Sequence, residues 1–551
     1  MNSSCAPTSK SLLLLALFAL ALGCNPKTPQ QVPADDTSAA NSGDTDSQPV
    51  ALIADEEGSE VTTAVEDNQS KLPPEANVTS ADEMNQVIAE NWKDPQAVLV
   101  ITGEQHGYIE PCGCTGLENQ KGGLIRRDTF LTELRERGWE LVPLDCGNQV
   151  RRIQRQAIVK FNTTAEALKE MGYEAVTFGI DDLKLPSIDL LQIAGSDGGE
   201  GESAGKFISA NVTIVDEMFF PKYRVIERGG RKVGVTGILG AEFKGKLQSD
   251  DLMYVDPVEA LKPVVAELKE KGCDFCVLLS QSSKNEATEI AKAVEGFHVV
   301  VFPGYGEPTL RPEEIDGSES VLIQTGAKGM YAGLLGLFDD AENPVRYQRV
   351  ALSAQFSDSK RMLERFANYQ EQLKTEGFDS LGAVMQEHPR KIGFVGSEAC
   401  GECHTIAFEI WKNSPHVHAT ESVVAAKNDR GGIARHHDPE CVSCHSTGWN
   451  VEYHYPFETG FVSPEQTPLL TGSGCENCHG PGKAHVDAEW GDVEVDDDTL
   501  DKLRQQMVLT LEEAKESKCR ECHDIDNSPD FHPIDENFER FWEKVKHVGK
   551  D

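Results

Sequence analysis

Positive charge is scarce in this sequence of 551 residues, in which 52 Lys and Arg side chains stand against 91 Asp and Glu side chains, for a formal net charge of −39. Binding to nucleic acid or to an anionic membrane surface depends on clustered Lys and Arg side chains. The charge balance therefore argues against both kinds of partner. It is compatible with a basic partner protein, or with solubility in salty surroundings.

Long hydrophobic runs are also scarce. The one pronounced run, residues 11–23, follows Lys10 and is too short to cross a bilayer comfortably. It is typical of the apolar part of a secretory signal peptide rather than of a transmembrane helix. We therefore predict a signal peptide at residues 1–24 and an exported protein, on the periplasmic side or in the cell envelope.

The apolar run ends at Cys24, which a Gly precedes and a polar segment follows. This arrangement resembles the bacterial lipoprotein cleavage site, although that family prefers Leu at the position of Ala21. The resemblance implies that Cys24 is diacylated and that a lipid anchor is the protein's only attachment to a membrane. Cleavage with release of the protein is the alternative.

Large apolar side chains are few in residues 25–95, which are rich in Pro, Ser, Thr, Ala, Asp and Glu. Such a segment cannot bury enough apolar surface to offset the entropy lost on ordering. We predict a disordered acidic linker that lets an anchored domain stand off the bilayer.

Residues 96–352 alternate between apolar runs and amphipathic segments. Residues 97–102 and 140–144 are apolar runs typical of buried strands, and a helix is predicted near residues 126–137 between them. This alternation predicts a layered α/β domain with ligand sites at the carboxyl ends of its strands. A connecting helix is expected within residues 353–390, with its apolar stripe packed on one of the neighbouring domains.

The order and spacing of several short motifs in the α/β region resemble the calcineurin-like metallophosphoesterases, in particular the N-terminal domain of 5′-nucleotidases. The segments that carry the resemblance are Gln105-His106-Gly107, Gly122-Gly123-Leu124, Asp145-Cys146-Gly147-Asn148, Gly179-Ile180-Asp181-Asp182, Asn211-Val212, Leu279-Ser280-Gln281 and Gly304-Tyr305-Gly306. That family holds two metal ions with carboxylate, amide and imidazole ligands. The resemblance implies a degenerate site here, because the matching positions are Glu104, His106, Asn148, Asp181 and Gln281. With these replacements we expect a pseudo-enzyme whose scaffold could still bind a ligand or partner.

Three cysteines of the α/β region follow its first two predicted strands. Cys112 and Cys114 come after the first strand and Cys146 after the second, so their thiols and His106 are expected at one edge of the sheet. A structural disulfide with one buried free thiol and a contact with a metal or haem are both open interpretations.

The last domain, residues 391–551, repeats one short motif four times. The copies are Cys400-Gly-Glu-Cys403-His404, Cys441-Val-Ser-Cys444-His445, Cys475-Glu-Asn-Cys478-His479 and Cys519-Arg-Glu-Cys522-His523. Cys-x-x-Cys-His is the attachment signature of c-type haem, in which two thiols bind the vinyl groups and the His becomes the proximal iron ligand. Zinc ribbons would use paired Cys-x-x-Cys units without the repeated His. We predict four covalently bound c-type haems, and since such attachment normally takes place outside the cytoplasm, the motifs also point to export.

The surroundings of these motifs resemble the tetrahaem cytochrome c-554 family from about residue 396 to residue 547. The matching segments include residues 410–419, 438–441 and 447–449, and the Gly-Pro-Gly after His479. The resemblance implies a mostly helical domain in which the haems pack in close pairs, most irons have two His ligands and one iron lacks a strong sixth ligand.

Each iron with two His ligands needs a second imidazole from outside the motifs. The candidates for these distal ligands are His416, His418, His436, His485 and His547. Between the first two we favour His416, and either His436 or its neighbour His437 could serve. The count of histidines permits four six-coordinate haems, so an open iron does not follow from the sequence.

Three functions follow as hypotheses. The first is an exported tetrahaem cytochrome that transfers electrons between redox partner proteins, with the α/β domain used for docking or scaffolding. The second is a reductase that acts on a small nitrogen or oxygen species at an open haem iron. The third is a metal-dependent nucleotide or phosphoester hydrolase, which would need metal in the α/β domain. The sequence does not indicate the oligomeric state.

Overall fold

The computed structural model describes residues 87–112, 120–152, 154–194, 205–215, 220–304, 307–424, 432–525 and 527–548. The predicted signal peptide, the lipidation site at Cys24, nearly all of the acidic linker and Cys114 lie outside these residues. The described residues belong to one compact unit. Within the ranges given, no helix combines the length and the apolar character that crossing a membrane requires.

The α/β region contains two six-stranded sheets, as the alternation of apolar segments predicts. The first sheet has the order β14-β13-β1-β2-β3-β4 and the second has the order β11-β12-β10-β9-β7-β6. The strands are β1 Ala97–Thr102, β2 Leu141–Asp145, β3 Ala175–Thr177, β4 Phe207–Ile208, β5 Val212–Ile214, β6 Tyr223–Arg228, β7 Arg231–Leu239, β8 Leu252–Tyr254, β9 Phe275–Gln281, β10 Val299–Pro303, β11 Glu313–Glu314, β12 Val321–Thr325, β13 Tyr331–Leu337 and β14 Val345–Ala351. β5 and β8 form a separate two-stranded ladder.

Both faces of the first sheet are buried, which is why β1 is an uninterrupted apolar run. Successive side chains of a strand point to opposite faces. Leu99 and Ile101 therefore pack between the two sheets, while Val98 and Val100 pack against the helices on the outer side. The result is a four-layered α/β/β/α arrangement, and the predicted α/β fold class is confirmed.

Helices cover the outer face of each sheet. They are α1 Leu124–Glu136, α2 Arg155–Glu170, α3 Ser187–Ala194, α4 Pro257–Glu270 and α5 Lys284–Ala293, with 3₁₀ turns at Asp182–Lys184 and Ala241–Lys246. α4 begins at the N-cap Asp256, whose side chain accepts hydrogen bonds from the N–H groups of Val258 and Glu259. α1 and α2 pack on the first sheet, and α4 and α5 pack on the second.

The connecting helix, α6, runs from Lys360 to Ser380 and has a kink at Gly377. Its apolar stripe, which includes Met362, Phe366 and Leu373, joins the core between α1, α2 and the first sheet. α6 is thus an integral part of the α/β region.

The C-terminal region is mostly helical, as expected, but its helices are short. They are α7 Ser397–Gly401, α8 Thr405–Lys412, α9 Ala419–Val424, α10 Pro439–His445, α11 Cys475–His479, α12 Lys483–Trp490, α13 Asp497–Gln506, α14 Leu511–Glu513, α15 Cys519–Cys522 and α16 Ile534–Trp542. A 3₁₀ turn at Pro415–His418, a π-helical turn at Ala514–Lys518 and the small β15–β16 hairpin, Trp449–Asn450 and Tyr455–Pro456, lie among them. Its apolar core consists of two small clusters, one around Trp449 and Phe461 and one around Phe531 and Phe538.

The two regions are joined at Asp438, the N-cap residue of α10. Its carboxylate, only 3 % exposed, accepts hydrogen bonds from Gln156 of α2 at 2.7 Å and from Tyr369 and Gln370 of α6 at 3.2 and 3.1 Å. It also accepts the N–H of Glu440 in α10 at 3.0 Å. One buried carboxylate thus both starts α10 and fixes that helix to the α/β region.

Replacement of Asp438 tests this junction. Asp438→Ala removes the N-cap and leaves several buried donors without an acceptor, so the free energy of unfolding should fall by about 3 kcal/mol. Denaturation by urea, followed by circular dichroism, measures the change.

The matched control is Asp496→Ala. Asp496 is the N-cap of α13 but lies in solvent and accepts only from Thr499. Its replacement should cost clearly less stability, and equal losses for the two variants would contradict the role given to Asp438.

Candidate functional site

The four Cys-x-x-Cys-His motifs lie on short helical turns at the end of α7 and in α10, α11 and α15. Residues three apart in a helix lie on one face, so the two thiols of each motif face the same way and the His follows directly. Thiols of different motifs are also neighbours. The Cys400 thiol interacts with that of Cys475, and the Cys444 thiol interacts with that of Cys522. The first motif is therefore adjacent to the third, and the second to the fourth.

Three motif histidines each face a second histidine from a distant part of the chain. The ring centres lie 6.5 Å apart for His404 and His485 and 6.2 Å apart for His523 and His416. For the third pair, His479 and His547, the separation is 5.8 Å. The structure thus brings together the first, third and fourth motif histidines with three of the predicted distal candidates.

These separations fit imidazoles on opposite sides of one iron. A metal lies about 2 Å from an imidazole nitrogen, so two such rings have their centres about 6 Å apart. The ring Nδ1–H of His479 donates to the Met507 carbonyl oxygen at 2.7 Å, and that of His547 donates to the Val545 carbonyl oxygen at 2.8 Å. Such bonds leave Nε2 available for a metal.

Burial also favours the neutral form of these imidazole rings. It lowers the pKa of His416 and His479, and it lowers the pKa of His523 to about 4. A neutral imidazole is the form that binds a metal ion. The residues present therefore fit bis-His iron centres at three of the motifs.

His445 of the second motif differs from the other three motif histidines. Its ring Nδ1 lies 2.8 Å from the Ala419 carbonyl oxygen and 3.1 Å from the Ser422 hydroxyl, so Nε2 is available for a metal. All fifteen histidines lie in the described ranges, and within those ranges His445 has no ring contact with another histidine. The second motif thus offers an iron one imidazole, with no second one facing it.

The remaining histidine candidates lie elsewhere. His418 is exposed and pairs with Glu421 at 3.1 Å, whereas His416, two residues before it, faces His523. His436 packs against His437, with ring centres 3.9 Å apart, and not against a motif histidine.

The degenerate phosphoesterase positions converge on Glu104. Its carboxylate lies 2.9 Å from His106 Nε2 and accepts hydrogen bonds from the side-chain amides of Asn148, at 3.0 Å, and Gln281, at 2.7 Å. Asp181 contributes its backbone N–H to Asn148 Oδ1 at 3.0 Å, but its carboxylate binds Lys184 at 2.6 Å. The Glu104 carboxylate, which would otherwise be a ligand for a divalent cation, thus accepts hydrogen bonds from two side-chain amides.

The backbone around this cleft keeps an unusual conformation. Glu104, His106 and Asn148 have φ angles of 50°, 53° and 54°, in the left-handed region that residues other than Gly seldom adopt. Gly179 leaves room for Asn148, because a Cβ there would lie 1.9 Å from Asn148 Oδ1. In the described part of the chain, no group of three or more His, Cys, Asp or Glu side chains is arranged to hold a metal ion.

The expected proximity of Cys146 to Cys112 is not found, whereas Cys114 lies outside the described residues. Cys146 is fully buried in the core between the two sheets, and Cys112 is exposed and lies near Cys441 and Cys444 of the second motif. The expectation fails because the Cys146 side chain points between the sheets and the other loop extends towards the C-terminal region.

Sequence reasoning also missed the contacts that surround the second motif. Lys160 of α2 binds Glu440, and Arg435 forms a bidentate pair with Glu110. The sequence Asp438-Pro439 before Glu440 is typical of the start of a helix. Lys160 and Glu110 lie about three hundred positions earlier in the chain, so no local sequence pattern predicts these contacts.

The C-terminal region is similar to a family of cytochromes. Residues 399–480 match the family of cytochrome c554 and c-prime. Over 98 residues the c-554-like region is 36 % identical to cytochrome c-554 of Nitrosomonas europaea. This alignment covers 16 % of this chain and 39 % of that protein. Covalently bound c-type haem is a feature of this family.

The α/β region is similar to 5′-nucleotidases. It is 25 % identical over 280 residues to the snake venom 5′-nucleotidase of Gloydius brevicauda. This alignment covers 46 % of this chain and 47 % of that protein. A 5′-nucleotidase precursor from Thermus thermophilus superimposes with a TM-score of 0.44 at 21 % identity, over 55 % of this chain and 62 % of that one. The chain therefore spans less than half the length of each of the two curated relatives, the cytochrome and the venom nucleotidase.

A single substitution tests whether the hydrogen bonds to Glu104 keep metal ions from this site. Asn148→Asp places a second carboxylate about 3 Å from Glu104, and like charges at that distance should destabilise the protein by about 4 kcal/mol. We expect a lower melting temperature for the variant, recovered when Mn²⁺ is added.

The unaltered protein is the control, and Mn²⁺ should leave its melting temperature unchanged. A metal-dependent stabilisation of the unaltered protein, with hydrolysis of a generic phosphoester, would contradict the degenerate site.

The two neighbouring distal candidates can be separated by variants. His416→Ala should open the iron held by His523, so that carbon monoxide changes the absorbance of one additional haem in the reduced protein. His418→Ala is the matched control and should bind the same amount of carbon monoxide as the unaltered protein. The opposite result would assign the ligand to His418.

Proposed function

We propose that this protein is a tetrahaem c-type cytochrome that transfers electrons between redox partner proteins. The observation that carries the proposal is the set of four motif histidines, of which three face a second imidazole across about 6 Å, a separation at which the two rings could hold one metal ion. The family match supports covalent c-type haem. The count of four rests on the four motifs.

The residues proposed to hold the cofactors are the eight motif cysteines as thioether partners and His404, His445, His479 and His523 as proximal ligands. When bound, the four haems supply one-electron redox chemistry. The chain's own part is to fix the ligands. His485, His416 and His547 complete three ligand pairs, and backbone carbonyls orient the rings of His445, His479 and His547.

Reduction of a small nitrogen or oxygen species is a second candidate function. It is favoured by His445, which faces no second imidazole in the described ranges. An iron with one protein ligand could bind such a species, whereas an iron with two His ligands is closed.

For the α/β region we propose a scaffolding or docking role. Its fold is intact, but the side chains of its former metal site bind one another. It supplies Gln156 and Lys160 to the junction with the c-554-like region. Phosphoester hydrolysis is the less favoured alternative.

We further propose that the protein is exported and anchored through a lipid on Cys24, which mass spectrometry of the mature N-terminus would show or exclude. The net charge of −39 favours a basic redox partner. Electron exchange with a small basic cytochrome should then slow as the salt concentration rises.

The haem content and the reaction with carbon monoxide test the proposal. We expect four haems per chain and a carbon monoxide response from about one of them in the reduced protein. Fewer than four haems would contradict the tetrahaem assignment. No response would exclude the second candidate function, and a response from several haems would contradict the proposed ligand pairs.

A further inference from the structure

A buried cation of the α/β region ends beside the second motif. Lys160, in the middle of α2, is 7 % exposed, and its ammonium nitrogen lies 2.5 Å from Glu440 Oε2. Glu440 directly precedes Cys441, the first thioether position of that motif. A second cation of the α/β region, Arg152, lies 3.7 Å from the other carboxylate oxygen of Glu440.

The structure makes room for this lysine. Gly107 has a φ of +73°, and a Cβ at that position would lie 2.8 Å from Lys160 Cδ. On its other side the ammonium group lies 6.0 Å from the centre of the Tyr369 ring. A buried ammonium is costly unless it is paired. Although burial lowers the pKa of Lys160, the charges of Glu440 and Asp438 raise it above its ordinary value, so the lysine is charged.

The third and fourth motifs are held differently. Charged residues at the fourth motif pair locally, as in Lys518 with Glu521 and Arg520 with Glu516. At the third motif, Glu476 accepts backbone N–H groups of the c-554-like region itself. Among the ion pairs found in the described ranges, those that join a cation of the α/β region to a residue in or next to a motif all involve Glu440.

We propose that Lys160 is a positioning residue for the haem site of the second motif, where it holds and neutralises the Glu440 carboxylate. The inference rests on the proposed function, since it concerns the haem attached at Cys441 and Cys444. An unpaired carboxylate next to a haem stabilises the oxidised, more positive state and lowers the reduction potential. Lys160, at 2.5 Å the nearer of the two cations, supplies most of the compensating charge, so the α/β region helps to set the potential of the haem proposed to have the open iron.

The test is a spectroelectrochemical titration of the full-length protein with its haems. Lys160→Met should lower the midpoint potential of one haem, the one that responds to carbon monoxide, and leave the other three unchanged. Glu440→Gln should shift the same haem in the opposite direction. The double variant should return it close to the value of the unaltered protein, and Lys160→Arg should retain most of that value.

The matched control is Lys206→Met, which breaks a 3.1 Å ion pair with Glu174 within the α/β region. It should move none of the potentials. No change in Lys160→Met, or an equal change in all four haems, would overturn the proposal.

If Lys160→Met does not fold, the proposal is tested by comparing the midpoint potentials of Glu440→Gln and of the double variant. Identical potentials for these two variants would overturn the proposal. Failure of the proposed function is seen separately, as fewer than four haems in the unaltered protein before any variant is compared.

Discussion

In the C-terminal region, imidazoles from distant parts of the chain meet in pairs. His404 faces His485 and His479 faces His547, so each pair closes a loop of more than sixty residues. The apolar clusters of this region are small, and its helices are mostly shorter than the twelve or so residues that isolated helices need. Ligand pairs that hold metal centres would therefore supply much of the cohesion that a larger hydrophobic core supplies elsewhere.

In the α/β region, the side chains at the positions that resemble a metal site bind one another. Its layered core and the left-handed backbone at Glu104 and Asn148 remain, but the charge of Glu104 is met by amide donors instead of cations. What distinguishes the region is its outer surface. Gln156 and Lys160 of one helix reach the N-terminal turn of α10 and bind its two acidic residues. The α/β region thus contacts the start of the second motif, the one whose histidine has no imidazole partner in the described ranges.

Much of the fold was predictable from local patterns. The buried strand at residues 97–102 and the helical stripe of α6 follow from periodicity, and the motif cysteines follow from spacing alone. The histidine pairs were predictable only as a set of candidates. His416 faces His523 and His418 does not, and this difference depends on how the chain folds. The bond from Gln156 to Asp438 joins residues 282 positions apart and had no local signal. The burial of Cys146 between the sheets could not be predicted, because the sequence does not tell which face of the sheet its thiol takes.

Electron paramagnetic resonance of the fully oxidised protein tests the central claim, that three irons have paired imidazoles and one does not. Bis-His ferric haem is low-spin, and a haem with one protein ligand is expected to be high-spin. The account predicts three low-spin signals and one high-spin signal per chain, with the high-spin signal assigned to His445. Four low-spin signals, or more than one high-spin signal per chain, would contradict it.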